Sequence, residues 1–519
     1  MNDFPILTVL WLLPLVGALA VAFGPKGALA KQTALVFSLV TLVVGVIAAT
    51  QFDKDSTGFQ LTETHDWIAA FGVHYALGLD GLGLLLVLLT VVLVPIVLAA
   101  AWNDAPDETA KRWFAWALAL ESLSLVVFLA TDVFLFYVVF EATLIPAYFL
   151  IGGFGRARRS AAALKFLMFQ LAGGLVLLGS VIGLYVVSSD QGSPSYLYDD
   201  LQQLDISTSA GRWLFAGFFI AFAIKAPLFP VHTWLADTTE QATPPTSVLL
   251  VCVLDKIGTF GMLRFCLGLF PEASDWATPF VVVLALISIV YGAFVAIGQD
   301  DLLRLIGLTS LSHFGFITLG IFVFTTQGAS GSILYMVNHG IATAALFLIA
   351  GFVIKRRGTS LISRMGGLEK VTPVAAGLFL VAALATAGLP GLSQFVSEIL
   401  VLISAFDYRW YVGAIAVTAI VLAAIYMLWA YQRIWTGPNP PDLQADVDAG
   451  GDSVADLGRR EIGVLAPLML ALVLFGFYPM PLLDVSNPFS EHLLEQTGVH
   501  DDGPTVPVEA ESGHSEGGH

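Results

Sequence analysis

The sequence predicts an all-helical bundle that crosses a membrane about fourteen times, and three observations carry that expectation. The first is composition. Of 519 residues, 57% are hydrophobic and only 12% charged, with a mean hydropathy of +0.82. Soluble chains average about 25% charged residues, and no soluble interior could bury this much apolar surface. The second is length of run, since a helix needs about 20 mainly apolar residues to cross hydrocarbon. Fourteen such runs lie near residues 4–23, 32–50, 79–101, 114–130, 133–151, 163–187, 213–235, 247–270, 277–298, 303–325, 331–354, 372–406, 411–435 and 462–483. Their Gly- and Leu-rich continuity excludes barrel strands, which would alternate every second residue.

The third observation is where the cations fall. Seventeen of the 23 Lys and Arg lie in loops on one side, and only Lys54, Arg212, Arg264 and Arg409 on the other. Basic loops stay cytoplasmic, so both termini are expected on the outer face of a bacterial plasma membrane. The first run follows Asp3 rather than a basic stretch, which predicts a retained span and not a removable signal. The expected organisation is three N-terminal helices (1–113), a five-helix unit (114–270), a second and inverted one (277–435), a last helix (462–483) and an acidic flexible tail (484–519). No metal site is expected from the tail's His514 and His519, nor from Cys252 and Cys266, which lack paired-cysteine spacing. A net charge of −17 opposes nucleic-acid binding.

A charge at mid-bilayer costs on the order of 2.5–3.5 kcal/mol by insertion scales, so a chain tolerates one only against a partner, water or the bundle interior. Six residues fall in that class: Glu141, Lys225, Lys256, His313, His339 and Glu398. Glu121, Asp132 and Asp255 lie nearer the run ends, and His232 and Asp237 near the far end of the seventh run. Each singly has a structural reading, as an ion pair or a hydrogen-bonded core residue. Two features favour function. Pro227 and Pro230 break the seventh run beside Lys225, and Pro390 breaks the twelfth just before Glu398. Broken helices survive at membrane depth only where they line a cavity or are buried in protein. Moreover, Glu141 to Lys225 is 84 residues and His313 to Glu398 is 85, which predicts that spans five and seven repeat as ten and twelve. Inverted repeats with discontinuous helices are a common transporter plan.

Burial and nearby opposite charge pull lysine and carboxylate affinities for protons in opposing directions, and histidine titrates near neutrality unaided. The six residues therefore read as a proton path along the middle of the bundle. Lysines at two positions disfavour a metal-ion path. Nucleotide, phosphate-loop, zinc-protease and hydrolase motifs are all missing, so the chain is expected to hold no cofactor and to be driven by partners.

These segments resemble the antiporter-like membrane subunits of respiratory complex I. Phe134-Leu-Phe with Glu141, Phe219 to Pro227 with Lys225, Pro230-Val-His-Thr-Trp-Leu235, Ser312-His-Phe-Gly315 and Gly388-Leu-Pro-Gly with Glu398 carry the likeness. The resemblance implies fourteen helices in two inverted repeats and proton pumping driven by quinone reduction elsewhere. FMN, iron–sulfur clusters and quinone would reside in partner subunits, flanked here by sibling antiporter-like chains and membrane lipid. It assigns Glu141 and Lys225 to a first half-channel, Lys256 to a central relay, His313 and His339 to a bridge and Glu398 to the terminal site. Asp255, where the family usually has an apolar residue, is a departure that would modulate Lys256. Two other readings remain: a subunit of a multisubunit Na⁺(K⁺)/H⁺ antiporter, and a scaffold whose buried charges only hold helices together.

Overall fold

A computed structural model describes residues 4–24, 26–104, 107–192, 194–448 and 454–498. Among them, twelve helices are long and apolar enough to cross a membrane, and they coincide with the expected spans one to six, eight to eleven, thirteen and fourteen. The seventh and twelfth are each two helices. Thr208–Lys225 is followed by Thr233–Gln241, and Pro373–Thr386 by Ser393–Tyr408. Pro227 and Pro230 occupy the first gap and Pro390 the second. Their missing amide hydrogens leave the helical ladder without donors there.

Two further spans are irregular in ways that composition does not announce. The fifth, Val133–Phe154, is interrupted at Thr143, between Val133–Ala142 and Leu144–Phe154. Pro146 cannot donate to the carbonyl of Ala142 four residues earlier, so the interruption has a local cause. The eighth, Pro244–Leu267, contains two stretches of wide π turns, Leu249–Leu254 and Met262–Leu267, on either side of an α-helical piece, Lys256–Gly261. The Asp255 amide donates to the Leu250 carbonyl at 2.8 Å, five residues back. Wide turns inside a helix are rare and recur at functional sites.

Span eight and span ten (Leu302–Phe322) are buried along the whole of their apolar windows, against 28% for span two (Ala28–Gln51) and span fourteen (Arg459–Phe477). Lys256 and His313 lie on the two buried spans. The lipid-facing helices instead carry exposed apolar side chains such as Val36, Val43, Leu175 and Leu470. That is the inverse of a soluble surface.

Spans five and ten open on the same device. Asp132 accepts from the amides of Phe134 and Leu135, both at 2.9 Å, and caps span five. Asp301 accepts from Leu303 and Arg304 at 3.0 and 3.1 Å and caps span ten. Each aspartate also makes an isolated backbone bridge to a leucine, Asp132 to Leu197 and Asp301 to Leu361. A further contact ties the end of span five to the start of span ten. Arg156, just past span five, places Nη1 2.8 Å from both Asp301 Oδ2 and Ser360 Oγ. The matched spacings of 84 and 85 relate spans, not residues. Lys225 ends its first half-helix, whereas Glu398 lies inside the second half-helix of span twelve.

Three features depart from a plain series of apolar spans and loops. The segment 51–78, between the second and third runs, contains a β-hairpin: β1 (Gln60–Ile68) pairs antiparallel with β2 (Val73–Leu79). Most β1 side chains are at least partly exposed, so its polar composition resembles a loop. Residues 484–496, expected in the tail, belong to a helix, Met480–Gln496. Its buried side chains, Ser486, Phe489, Ser490, Leu493 and Leu494, recur at helical spacing, a period that average composition hides. The rest of the tail from 499, with His514 and His519, lies outside the described residues. Arg264, counted among loop cations, is 4% exposed on span eight, with Nη1 2.6 Å from Asp80 Oδ2. Asp132, at the start of span five, serves as its helix cap.

Candidate functional site

Lys225 is wholly buried at the last residue of its half-helix. Its Nζ lies 3.4 Å from Thr143 Oγ1 and 4.8 Å from the centre of the Phe140 ring. Both contacts come from span five, at the interruption described above. Glu141 sits on the same turn, its carboxylate pressed against Gly174 of span six so closely that a methyl there would overlap it. Its Oε1 is buried with no hydrogen-bond partner, and no ion pair within 4.0 Å joins it to Lys225 among the described residues.

Span eight approaches this pair backbone to backbone. A methyl group on Gly258 would strike the Ala226 amide and the Phe222 carbonyl, and one on Gly261 the Phe222 ring. Only hydrogen at these positions permits such contact. It places Asp255 and Lys256, both wholly buried, beside the broken end of span seven.

From Lys256 a series of contacts runs through spans ten, eleven and twelve. Lys256 Nζ is 2.6 Å from His339 Nδ1 and 4.4 Å from the centre of the Phe314 ring. An ammonium has no acceptor, so a charged Lys256 fixes Nδ1 as the acceptor and leaves the His339 proton on Nε2, facing Ser310 Oγ at 3.2 Å. The rings of His339 and His313 touch, with centres 5.2 Å apart, but no hydrogen bond joins them. His313 Nδ1 lies 2.8 Å from Tyr335 Oη, which is 2.9 Å from Glu398 Oε1. Gln394 Nε2 reaches His313 Nδ1 at 3.0 Å and both Tyr335 Oη and Glu398 Oε1 at 3.3 Å. Glu398 is held against the break of span twelve, where Gly388 takes a φ of +72° and a methyl would overlap Oε2.

The tyrosine hydroxyl has one proton and two neighbours able to accept it, so the cluster has two arrangements with the same heavy atoms. In one, His313 Nδ1–H donates to Tyr335, which donates to a Glu398 carboxylate. In the other, a neutral Glu398 donates to Tyr335, which donates to His313 Nδ1. Exchanging them moves one proton between Glu398 and His313. Gln394 Nε2–H, donating to His313 Nδ1, matches the second form.

The family model described as NADH:quinone oxidoreductase/Mrp antiporter, transmembrane, matches residues 130–423. NADH-quinone oxidoreductase subunit M of Mycobacterium tuberculosis is 48% identical to this chain, covering 98% of each. The chain belongs to the subunit M family of NADH-quinone oxidoreductases. The Rhodobacter capsulatus subunit M is 35% identical over 94% of this chain and 96% of its own length. Among solved structures, a chain of respiratory complex I from Thermus thermophilus superposes with a TM-score of 0.85 at 32% identity, covering 95% of this chain and all of its own. A chain of the Mrp complex from Dietzia sp. shares the fold at a TM-score of 0.84 and 22% identity.

Not every ionisable residue of this subunit M chain joins the series. His232 stacks on Phe229 and meets Tyr291 edge to face, with ring centres at 5.9 and 5.3 Å, and its buried Nδ1 has no partner among the described residues. Asp237 is committed to Lys165 and Arg304, each at 2.7 Å, in a half-exposed network that includes Glu240. Glu121 is 1% exposed on span four, both carboxylate oxygens unpartnered, and touches none of the six charged positions by hydrogen bond or ion pair. Conversely, Tyr335, Gln394, Thr143 and Ser310 were not singled out from the sequence. Uncharged polar residues are ordinary in membrane helices, and only the spacing of Tyr335 four residues before His339 put it within reach of detection.

Proposed function

We propose that this chain carries protons across the membrane as a subunit of an NADH:quinone oxidoreductase, through Glu141, Lys225, Lys256, His339, His313 and Glu398. The series from Lys256 through His339, His313 and Tyr335 to Glu398 supports it above all: five titratable groups on spans eight, ten, eleven and twelve, in contact and buried to within 3% exposure. A scaffold needs charges paired and quenched, whereas here Glu141, Asp255 and Glu398 each keep a buried carboxylate oxygen unpartnered. Buried unpaired groups cost stability, and chains keep them where their protonation has to change.

In this reading Glu141 and Lys225 take up the proton, Lys256 and the two histidines pass it laterally, and Glu398 releases it. The basic loops face the cytoplasm and both termini the outer side of a bacterial plasma membrane. Flavin, iron–sulfur and quinone chemistry belongs to partner subunits, so the driving force reaches this chain through its neighbours in the membrane.

The test uses the whole complex in sealed vesicles. Glu141→Gln and Lys256→Met should assemble, and NADH-driven acidification should fall by about a hundredfold. Wild-type pumping by fully assembled variants would overturn the assignment. A Na⁺-driven pH change without NADH or quinone would favour a cation/proton antiporter instead.

A further inference from the structure

Asp255 lies directly before Lys256 on span eight, and the proton path proposed above does not use it. It is completely buried, and among the described residues neither carboxylate oxygen has a hydrogen-bond partner or an ammonium within 4.0 Å. Its place is fixed from two sides. The wide turn from Leu250 to Asp255 ends at its own amide, and three residues on, Gly258 docks against Ala226 and Phe222. Span eight thereby places Asp255 near the broken end of span seven, which Lys225 closes, and directly before Lys256 in sequence. Around the two lysines, Thr143 of span five lies 3.4 Å from Lys225, with Glu141 on the same turn, and His339 of span eleven lies 2.6 Å from Lys256. Two buried ammonium groups at one depth repel, and Glu141 alone does not balance both.

We propose that Asp255 is a proton carrier in the lateral step between Lys225 and Lys256, and not merely their counter-charge. The step balances in two transfers. A proton leaves the Lys225 ammonium for the Asp255 carboxylate, leaving a neutral amine and a neutral acid. The acid then gives that proton to a neutral Lys256, which becomes the ammonium facing His339, and Asp255 returns to carboxylate. Asp255 stands beyond 4.0 Å of either ammonium, so each transfer requires its side chain to swing to hydrogen-bond distance of one lysine and then of the other. This inference rests on the proton path proposed above.

The experiment compares Asp255→Asn, Asp255→Glu and Lys225→Met in the assembled complex, reading protons pumped per NADH and the reaction-induced infrared band of a protonated carboxyl. The expected result is that Asp255→Asn lowers pumping by about a hundredfold and deletes one carboxyl band, while Asp255→Glu restores both in part. If Asp255→Asn pumps normally while Lys225→Met does not, the carrier role falls and the path stands. Normal pumping by Lys225→Met as well would remove the path itself. A loss of pumping in Asp255→Asn with every carboxyl band intact would leave only a structural counter-charge and overturn the proposal. Should Asp255→Asn fail to assemble, the band in Asp255→Glu decides: a shifted carboxyl band supports the carrier, and an unshifted spectrum refutes it.

Discussion

Lys256 Nζ and His339 Nδ1 meet at 2.6 Å across spans eight and eleven, and no carboxylate shares the contact. A cation held by a neutral base, with an aromatic face beneath it, is stable only while the base stays neutral. The proton therefore belongs to the pair, and either partner can release it toward its own side.

His339→Gln tests that pairing. The amide oxygen can still accept from Lys256, so the helices keep their packing, but it cannot take a proton onward. Pumping should drop by about a hundredfold in complex that purifies in normal yield, measured as acidification of vesicles per NADH oxidised.

Tyr335→Phe removes one oxygen from the link between His313 and Glu398 and leaves the ring in its stacked place on Phe316. Gln394 still spans His313 and Glu398, so the expected loss is smaller, about tenfold, and the Tyr335→Phe/Gln394→Leu double variant should lose far more than the product of the singles. Independent, multiplicative effects would show that the two do not share one step.

Asp132→Ala should behave as the loss of a helix cap. The expected cost is about 1 kcal/mol, seen as earlier thermal inactivation in detergent, with pumping per assembled complex unchanged. Asp301→Ala should cost more, because Asp301 also holds Arg156 and Ser360.

Arg264→Leu leaves Asp80 charged and buried without its partner, a defect worth about 3–5 kcal/mol, and assembly should fail or weaken. Adding Asp80→Asn removes the stranded charge and keeps a side chain able to cap span three at the Gly83 amide. The double variant should recover assembly, as read by the yield of intact complex on a native gel.

Much of this was legible in the sequence, because oil at 20-residue length and charges within it are strong signals. The breaks of spans seven and twelve follow from Pro227, Pro230 and Pro390 alone. The features that escaped detection were set by three-dimensional placement. Tyr335, Gln394 and Ser310 gain meaning only from the helices they face. The kink at Thr143 was available in Pro146 but is masked by an unbroken apolar run. The cap pair Asp132 and Asp301, each just ahead of an apolar helix, is a better marker of the repeat than the equal spacings, which compare residues on different sides of the breaks. Helix Met480–Gln496 was lost in the acidity of the chain beyond it.

The Arg156–Asp301 contact constrains how such a molecule can work. Asp301 is at once the cap of span ten, the anchor of Ser360 and the acceptor of a guanidinium from beyond span five, so tilting spans five and ten apart would strip Arg156 from both Asp301 and Ser360. Rotamer changes and proton shifts within a still frame cost neither of those bonds.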